Sequence, residues 1–86
     1  MALYQIETKH DDAECLHNLD ELESKGTLNK FYLGCDSGIH TGWATIEATS
    51  EAEALKIVPE FNRSRASIAK VSKFTPERIK QIHSLH

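Results

Sequence analysis

Stretches of apolar–polar alternation and stretches of three-to-four-residue periodicity follow one another along this chain, with a capping signal at nearly every change of period. That order constrains the fold more than any single residue does, because strands and amphipathic helices bury their apolar positions at different spacings. Residues 3–9 alternate, with Tyr4, Ile6 and Thr8 on one face, and predict a strand. Asp11 and Glu14 then form a capping box, Leu16, Leu19 and Leu22 follow beside Cys15, and Gly26 stands where a left-handed C-cap belongs. A helix is expected from about 12 to 25. Residues 30–35 predict a second strand with Phe31, Leu33 and Cys35 on one face, and Asp36–Ile39 a turn. His40–Ala48 predicts the returning strand, with Gly42, Ala44, Ile46 and Ala48 sharing a face. Ser50 and Glu53 cap a second helix, which Glu51 opens and Pro59 interrupts after about Val58, with a brief resumption before Arg63. Residues 66–74 predict a last strand with Ala69, Val71 and Phe74 inward. Thr75-Pro76 opens a third helix with Ile79, Ile82, His83 and His86 along one stripe.

The resulting order, β-α-β-β-α-β plus a C-terminal helix, is that of a ferredoxin-like, split βαβ domain of the α+β class, with a four-stranded antiparallel sheet covered by helices on one face. The 86 residues suffice for one such domain, 1–86, and no linker or internal repeat divides it. Its core must be thin, because a chain of this length buries only about 60% of the surface it exposes when unfolded.

Charge narrows the functional classes. The net charge of −3 argues against bulk nucleic-acid binding, which depends on neutralising phosphates. Residues 1–55 carry −8 and residues 56–86 carry +5, a split that suits either two differently solvated faces or pairing between acidic and basic surfaces. No stretch approaches the roughly 20 apolar residues of a membrane span. No basic-then-apolar export signal opens the chain, so a cytoplasmic location is expected. In that setting the two cysteines are free thiols or ligands rather than a disulfide, and Asn62-Arg63-Ser64 carries no meaning as a glycosylation acceptor.

The face opposite the helices is expected to carry Leu3, Tyr32, Trp43 and Ile68, interspersed with Gln5, Glu7, Lys70 and Ser72. Four apolar side chains, one from each strand, form a patch that needs covering, by the third helix or by a second subunit. In element order, and in the segment Gly42-Trp43-Ala44-Thr45-Ile46-Glu47-Ala48-Thr49-Ser50-Glu51-Ala52-Glu53-Ala54-Leu55, the chain resembles the small dimeric α/β-barrel proteins. That superfamily includes muconolactone-isomerase-like, heme-degrading and quinone-forming monooxygenase members. The resemblance implies a homodimer packed sheet to sheet, with a pocket for a hydrophobic small molecule near Tyr32, Trp43 and Glu47. None of the superfamily's catalytic signatures is present, so no catalytic residue is carried over.

One constellation carries chemistry of its own. In this topology the first and second strands run in parallel, so the end of the first, the start of the first helix, the end of the second and the start of the third share one edge of the domain. His10, Cys15, Cys35 and His40 fall there. A four-residue hairpin loop sets Cys35 opposite His40, where paired Cβ atoms lie about 4.5–5.5 Å apart. Two thiols and two imidazoles are the donor set of tetrahedral zinc, or of another thiophilic transition metal such as copper(I). The same residues also admit a purely structural reading, in which Cys15 and Cys35 are core thiols, and a redox-pair or catalytic-thiol reading. Heavy-metal-associated domains share the topology and bind at the same end, but through a CxxC that is missing here. Three functions therefore stay open: a metal- or ligand-binding module, a dimeric α/β-barrel enzyme, and an interaction protein without its own chemistry.

Overall fold

The computed structural model describes residues 1–85. Four strands, β1 (Ala2–Lys9), β2 (Tyr32–Leu33), β3 (Thr41–Ala48) and β4 (Ser67–Val71), form one sheet in the order β2-β3-β1-β4, with every pairing antiparallel. β1 and β2 both run antiparallel to β3, and therefore in the same direction. Helices α1 (Cys15–Lys25), α2 (Glu51–Leu55) and α3 (Pro76–Leu85) complete the α+β architecture with four short 3-10 turns at Asp12–Glu14, Leu28–Lys30, Cys35–Ser37 and Glu60–Arg65. Among the described residues no helix is long and apolar enough to cross a membrane.

β1 sits inside the sheet, paired with β3 on one side and β4 on the other. Tyr4, Ile6 and Thr8 are buried, and His10 continues their phase beyond the strand's end. Ile6 and Val58 have no exposed surface and pack with Tyr4, Ala48 and Ala54 in one cluster, which Phe31, Ile46 and Ile68 border. Burying one such aliphatic side chain contributes about 1.5–3 kcal/mol. α1 ends as expected at Gly26, whose φ of 78° lies in the left-handed region and whose N–H reaches back to the Glu23 carbonyl. Ser50 caps α2 by accepting from the Glu53 N–H at 3.2 Å. α2 is shorter than expected: it stops at Leu55, and the segment around Pro59 continues as the 3-10 turn over Glu60–Arg65.

The buried stripe of α1 differs from the expected run of three leucines. Leu16 is 70% exposed, while Asn18 and Leu22 are buried and Cys15 and Leu19 are half-buried. At about 100° per residue, positions 15, 18, 19 and 22 share one side of a helix, and position 16 has turned away from it. The Asn18 Oδ1 accepts from the Asn62 Nδ2 at 3.3 Å, while the Asn18 Nδ2 and the Asn62 Oδ1 are buried without a partner.

β4 is likewise inverted relative to expectation. Its register pairs Ile6 with Ile68 and Tyr4 with Lys70, so those residues lie on the helix-covered face, and Ile68 borders the core. Leu3 pairs with Val71 and Gln5 with Ala69, which puts Val71 and Ala69 on the open face instead. Opposed residues share a face, so the register with β1, not the strand's own alternation, decides the side. Both phases of this five-residue edge strand carry apolar side chains, which is why its sequence alone is ambiguous. The open face thus presents Leu3, Tyr32, Trp43 and Val71.

The third helix begins as expected, with the Thr75 hydroxyl accepting from the Arg78 N–H at 3.1 Å. It then stands apart from the body. From Ser72 to Leu85 every residue except Ile82 is exposed. The Cα radius of gyration is 15.7 Å, against about 12 Å for a compact chain of this length. His83 lies on the exposed surface of α3, and His86 lies outside the described residues.

Candidate metal centre

The parallel course of β1 and β2 brings four segments together at one end of the sheet. His10 follows β1 and is 95% buried; its backbone N–H donates to the His40 carbonyl at 3.2 Å, joining the end of β1 to the start of β3. The chain then makes the 3-10 turn that delivers Cys15 as the first residue of α1. At the hairpin, β2 is only two residues long, and Cys35 sits not on the strand but in the 3-10 turn that follows it. The ladder pairs Leu33 with Gly42, and the Gly34 N–H still donates to the Thr41 carbonyl at 3.0 Å. Beyond that the backbone turns off, so Cys35 approaches His40 across a tight turn rather than as a strand pair.

Two glycines make that turn. Gly38 has a φ of 79°, which L side chains rarely adopt. At Gly34 a Cβ would stand 2.8 Å from the Ile39 carbonyl oxygen and 3.2 Å from the Trp43 ring, so only glycine lets the hairpin close this tightly.

The result is a cluster in which one donor atom each from His10, Cys15, Cys35 and His40 lies within 4.8 Å of all the others. The Cys35 Sγ is 3.4 Å from the His10 Nε2. A tetrahedron with metal–sulfur bonds of 2.3 Å and metal–nitrogen bonds of 2.0–2.1 Å has sulfur–nitrogen edges of about 3.5 Å. The two imidazole rings meet edge to face with centroids 5.3 Å apart. All four residues named from the sequence are therefore brought together, and the arrangement could hold a metal ion.

Electrostatics prepares the donors differently. Burial, helped by the neighbouring His40, lowers the His10 pKa below its ordinary 6.5, so its imidazole is neutral and free to coordinate at pH 7. Burial and then the adjacent Cys15 thiol push the Cys35 thiol up to about 11, so it holds its proton until an ion displaces it. The Nδ1 atoms of both histidines are buried without a hydrogen-bond partner. For His40 the other ring nitrogen is engaged: its Nε2 lies 3.1 Å from the Asp12 Oδ1. A carboxylate on one imidazole nitrogen fixes the tautomer that leaves the other with a lone pair, the arrangement common behind metal-bound histidines.

Two acidic residues of the connecting turn thus carry roles that their sequence positions conceal. Asp12 stands among the acids at a helix start, where capping explains it equally well. Glu14 fulfils its expected capping role, accepting from the Asp11 N–H at 2.9 Å. It also accepts from the two terminal guanidinium nitrogens of Arg65, at 2.9 and 3.1 Å, from 51 positions away. That bidentate clamp ties the turn before Cys15 to the 3-10 turn before β4. Arg65 and then the Asp11 N–H hold the Glu14 carboxyl down at about 2.

Tyr32 and Trp43 pair on the open sheet face, where the indole N–H donates to the Glu7 carboxylate at 3.2 Å. Glu47, paired with Leu3, lies on the same face and also borders a concavity at the far end of β3 with Met1, Lys30, Ile46, Glu53 and Ile57. The four metal-type donors converge. No protein-family model, curated protein or solved structure matches the chain.

Proposed function

We propose that the chain is a metal-binding module that takes zinc, or another thiophilic transition metal such as copper(I), at His10, Cys15, Cys35 and His40. The observation that carries this reading is the convergence of four donor atoms within 4.8 Å from segments dispersed along the chain. Chance proximity explains a pair of such residues more readily than four of them with a carboxylate behind one imidazole. Two thiolates and two imidazoles favour a tetrahedral ion of borderline or soft character over magnesium or calcium, which prefer oxygen. Because Cys15, Cys35 and His40 are only half-buried, an ion reaches the site without unfolding the domain. The strand order and the parallel course of β1 and β2 support reading the fold as a ferredoxin-like split βαβ.

The test is a zinc titration against a competing chelator, with thermal unfolding followed in parallel. One equivalent should bind with release of at least one proton, that of Cys35. Stability should rise by linkage, by about 2.7 kcal/mol at a free concentration one hundred times Kd. Unchanged stability with zinc, copper and nickel alike would contradict the reading. So would undiminished zinc affinity in a Cys35→Ser, His40→Ala double variant.

A further inference from the structure

We propose that two copies of this chain associate about a two-fold axis, with α3 of each lying across the open sheet face of the other. The inference is independent of the metal centre and rests on two surfaces that the single chain leaves without partners. The first is α3 itself. It is ten residues long, below the roughly 12–15 residues at which an isolated helix is even marginal in water. A helix of that length owes its order to packing, yet Phe74, Ile79 and Leu85 are all exposed. The second surface is the open face of the sheet, where Tyr32 is 83% exposed and Leu3, Trp43 and Val71 are only half-covered.

The two surfaces match in charge as well as in polarity. Lys73, Arg78 and Lys80 outweigh Glu77 along the helix segment, and Glu7 and Glu47 outweigh Lys9 on the open face. Opposite net charges on the two surfaces favour their pairing. One chain carries both halves of the contact, so a second copy satisfies both at once, as a two-fold interface requires. A helix of this length is about 15 Å long and 10 Å across. On those dimensions each helix covers roughly 150 Å² of sheet, so the two symmetry-related contacts cover roughly 300 Å² per partner, a small interface by the standard of stable complexes.

The experiment is sedimentation equilibrium on the full chain from 1 to 100 μM, with circular dichroism confirming the fold of every variant. The wild type should have twice the mass of one 9.7 kDa chain. An Ile79→Asp, Ile82→Asp variant should be monomeric, and so should Trp43→Glu. Tyr32→Glu, at a position too exposed to disturb the fold, should weaken the dimer at least tenfold and serves if Trp43→Glu fails to fold. A helix variant mixed with a face variant should regain a dimer, because one helix and one face remain intact between them. A monomeric wild type would overturn the proposal. A dimer that survives the helix substitutions would overturn it in favour of direct sheet-to-sheet packing, and so would the absence of any mixed dimer at 100 μM.

Discussion

Cys35 Sγ and His10 Nε2 stand 3.4 Å apart although 25 positions separate them in the chain. No local loop creates that contact; it exists only when β1, β2 and β3 are paired. Replacing either residue should therefore weaken the metal site while leaving the fold recognisable. Chelator competition on Cys35→Ser and on His10→Ala should show zinc affinity reduced by more than about 100-fold, since the loss of an outer-shell partner alone reaches 10–100-fold. Wild-type affinity in either variant would remove that residue from the donor set.

Asp12 should matter to the same equilibrium without touching the ion. Its carboxylate sits on the His40 Nε2 but is itself 93% exposed, so its influence is partly screened by water and salt. Asp12→Asn should lower zinc affinity by about tenfold, near the low end for outer-shell carboxylates. The thermal stability of the metal-free protein should barely change. An equal loss of stability with and without zinc would make Asp12 a structural residue only.

Gly34→Ala tests whether the hairpin positions the donors. A methyl group there would meet the Ile39 backbone carbonyl at 2.8 Å, a contact that no side-chain rotation relieves. Unfolding experiments should show a loss of about 1–3 kcal/mol, the usual range for an overpacked site. Zinc affinity should fall with it, because the same turn carries Cys35 and leads into His40. Unaltered binding would mean that the site tolerates a looser hairpin.

The Glu14–Arg65 clamp makes a prediction about acid. Arg65 holds the Glu14 pKa in the folded protein at about 2, below the ordinary 4.5. A depressed carboxyl pKa contributes stability that is present above pH 4.5 and is lost as pH falls toward 2. Arg65→Gln removes the principal cause of that shift, so its acid unfolding midpoint should lie at higher pH than the wild type, while the two proteins converge at the acid extreme. Coincident acid transitions would show that the pair is too solvated to matter. The lowered pKa of His10 acts in the same direction: its stability is present above pH 6.5 and declines as pH falls through the folded value.

The candidate site was legible in the sequence because strand direction alone determines which ends of β1, α1, β2 and β3 meet. His10 could be assigned to the helix-covered side from its phase with Tyr4 and Ile6. What sequence could not supply was information held between elements. β4 places Ile68 inward and Val71 outward through its register with β1, and its own alternation favours neither phase. Asn18, not Leu16, takes the buried side of α1, where the Asn62 amide from another segment donates to it. Asp12 and Arg65 read as ordinary surface charges until the turn before α1 is placed beside His40 and the turn before β4. The isolation of α3 was equally hidden, since an amphipathic stripe implies a partner surface without saying which chain provides it.

X-ray absorption spectroscopy of the zinc-loaded protein tests the central claim most directly, because it reports the donors around the ion rather than a change in stability. Two sulfur scatterers at about 2.3 Å and two imidazole nitrogens at about 2.0–2.1 Å should fit the first shell. The sulfur contribution should fall by half in Cys15→Ser and in Cys35→Ser alike. A first shell of nitrogen and oxygen alone, or a spectrum unchanged by both substitutions, would contradict a metal centre built from His10, Cys15, Cys35 and His40.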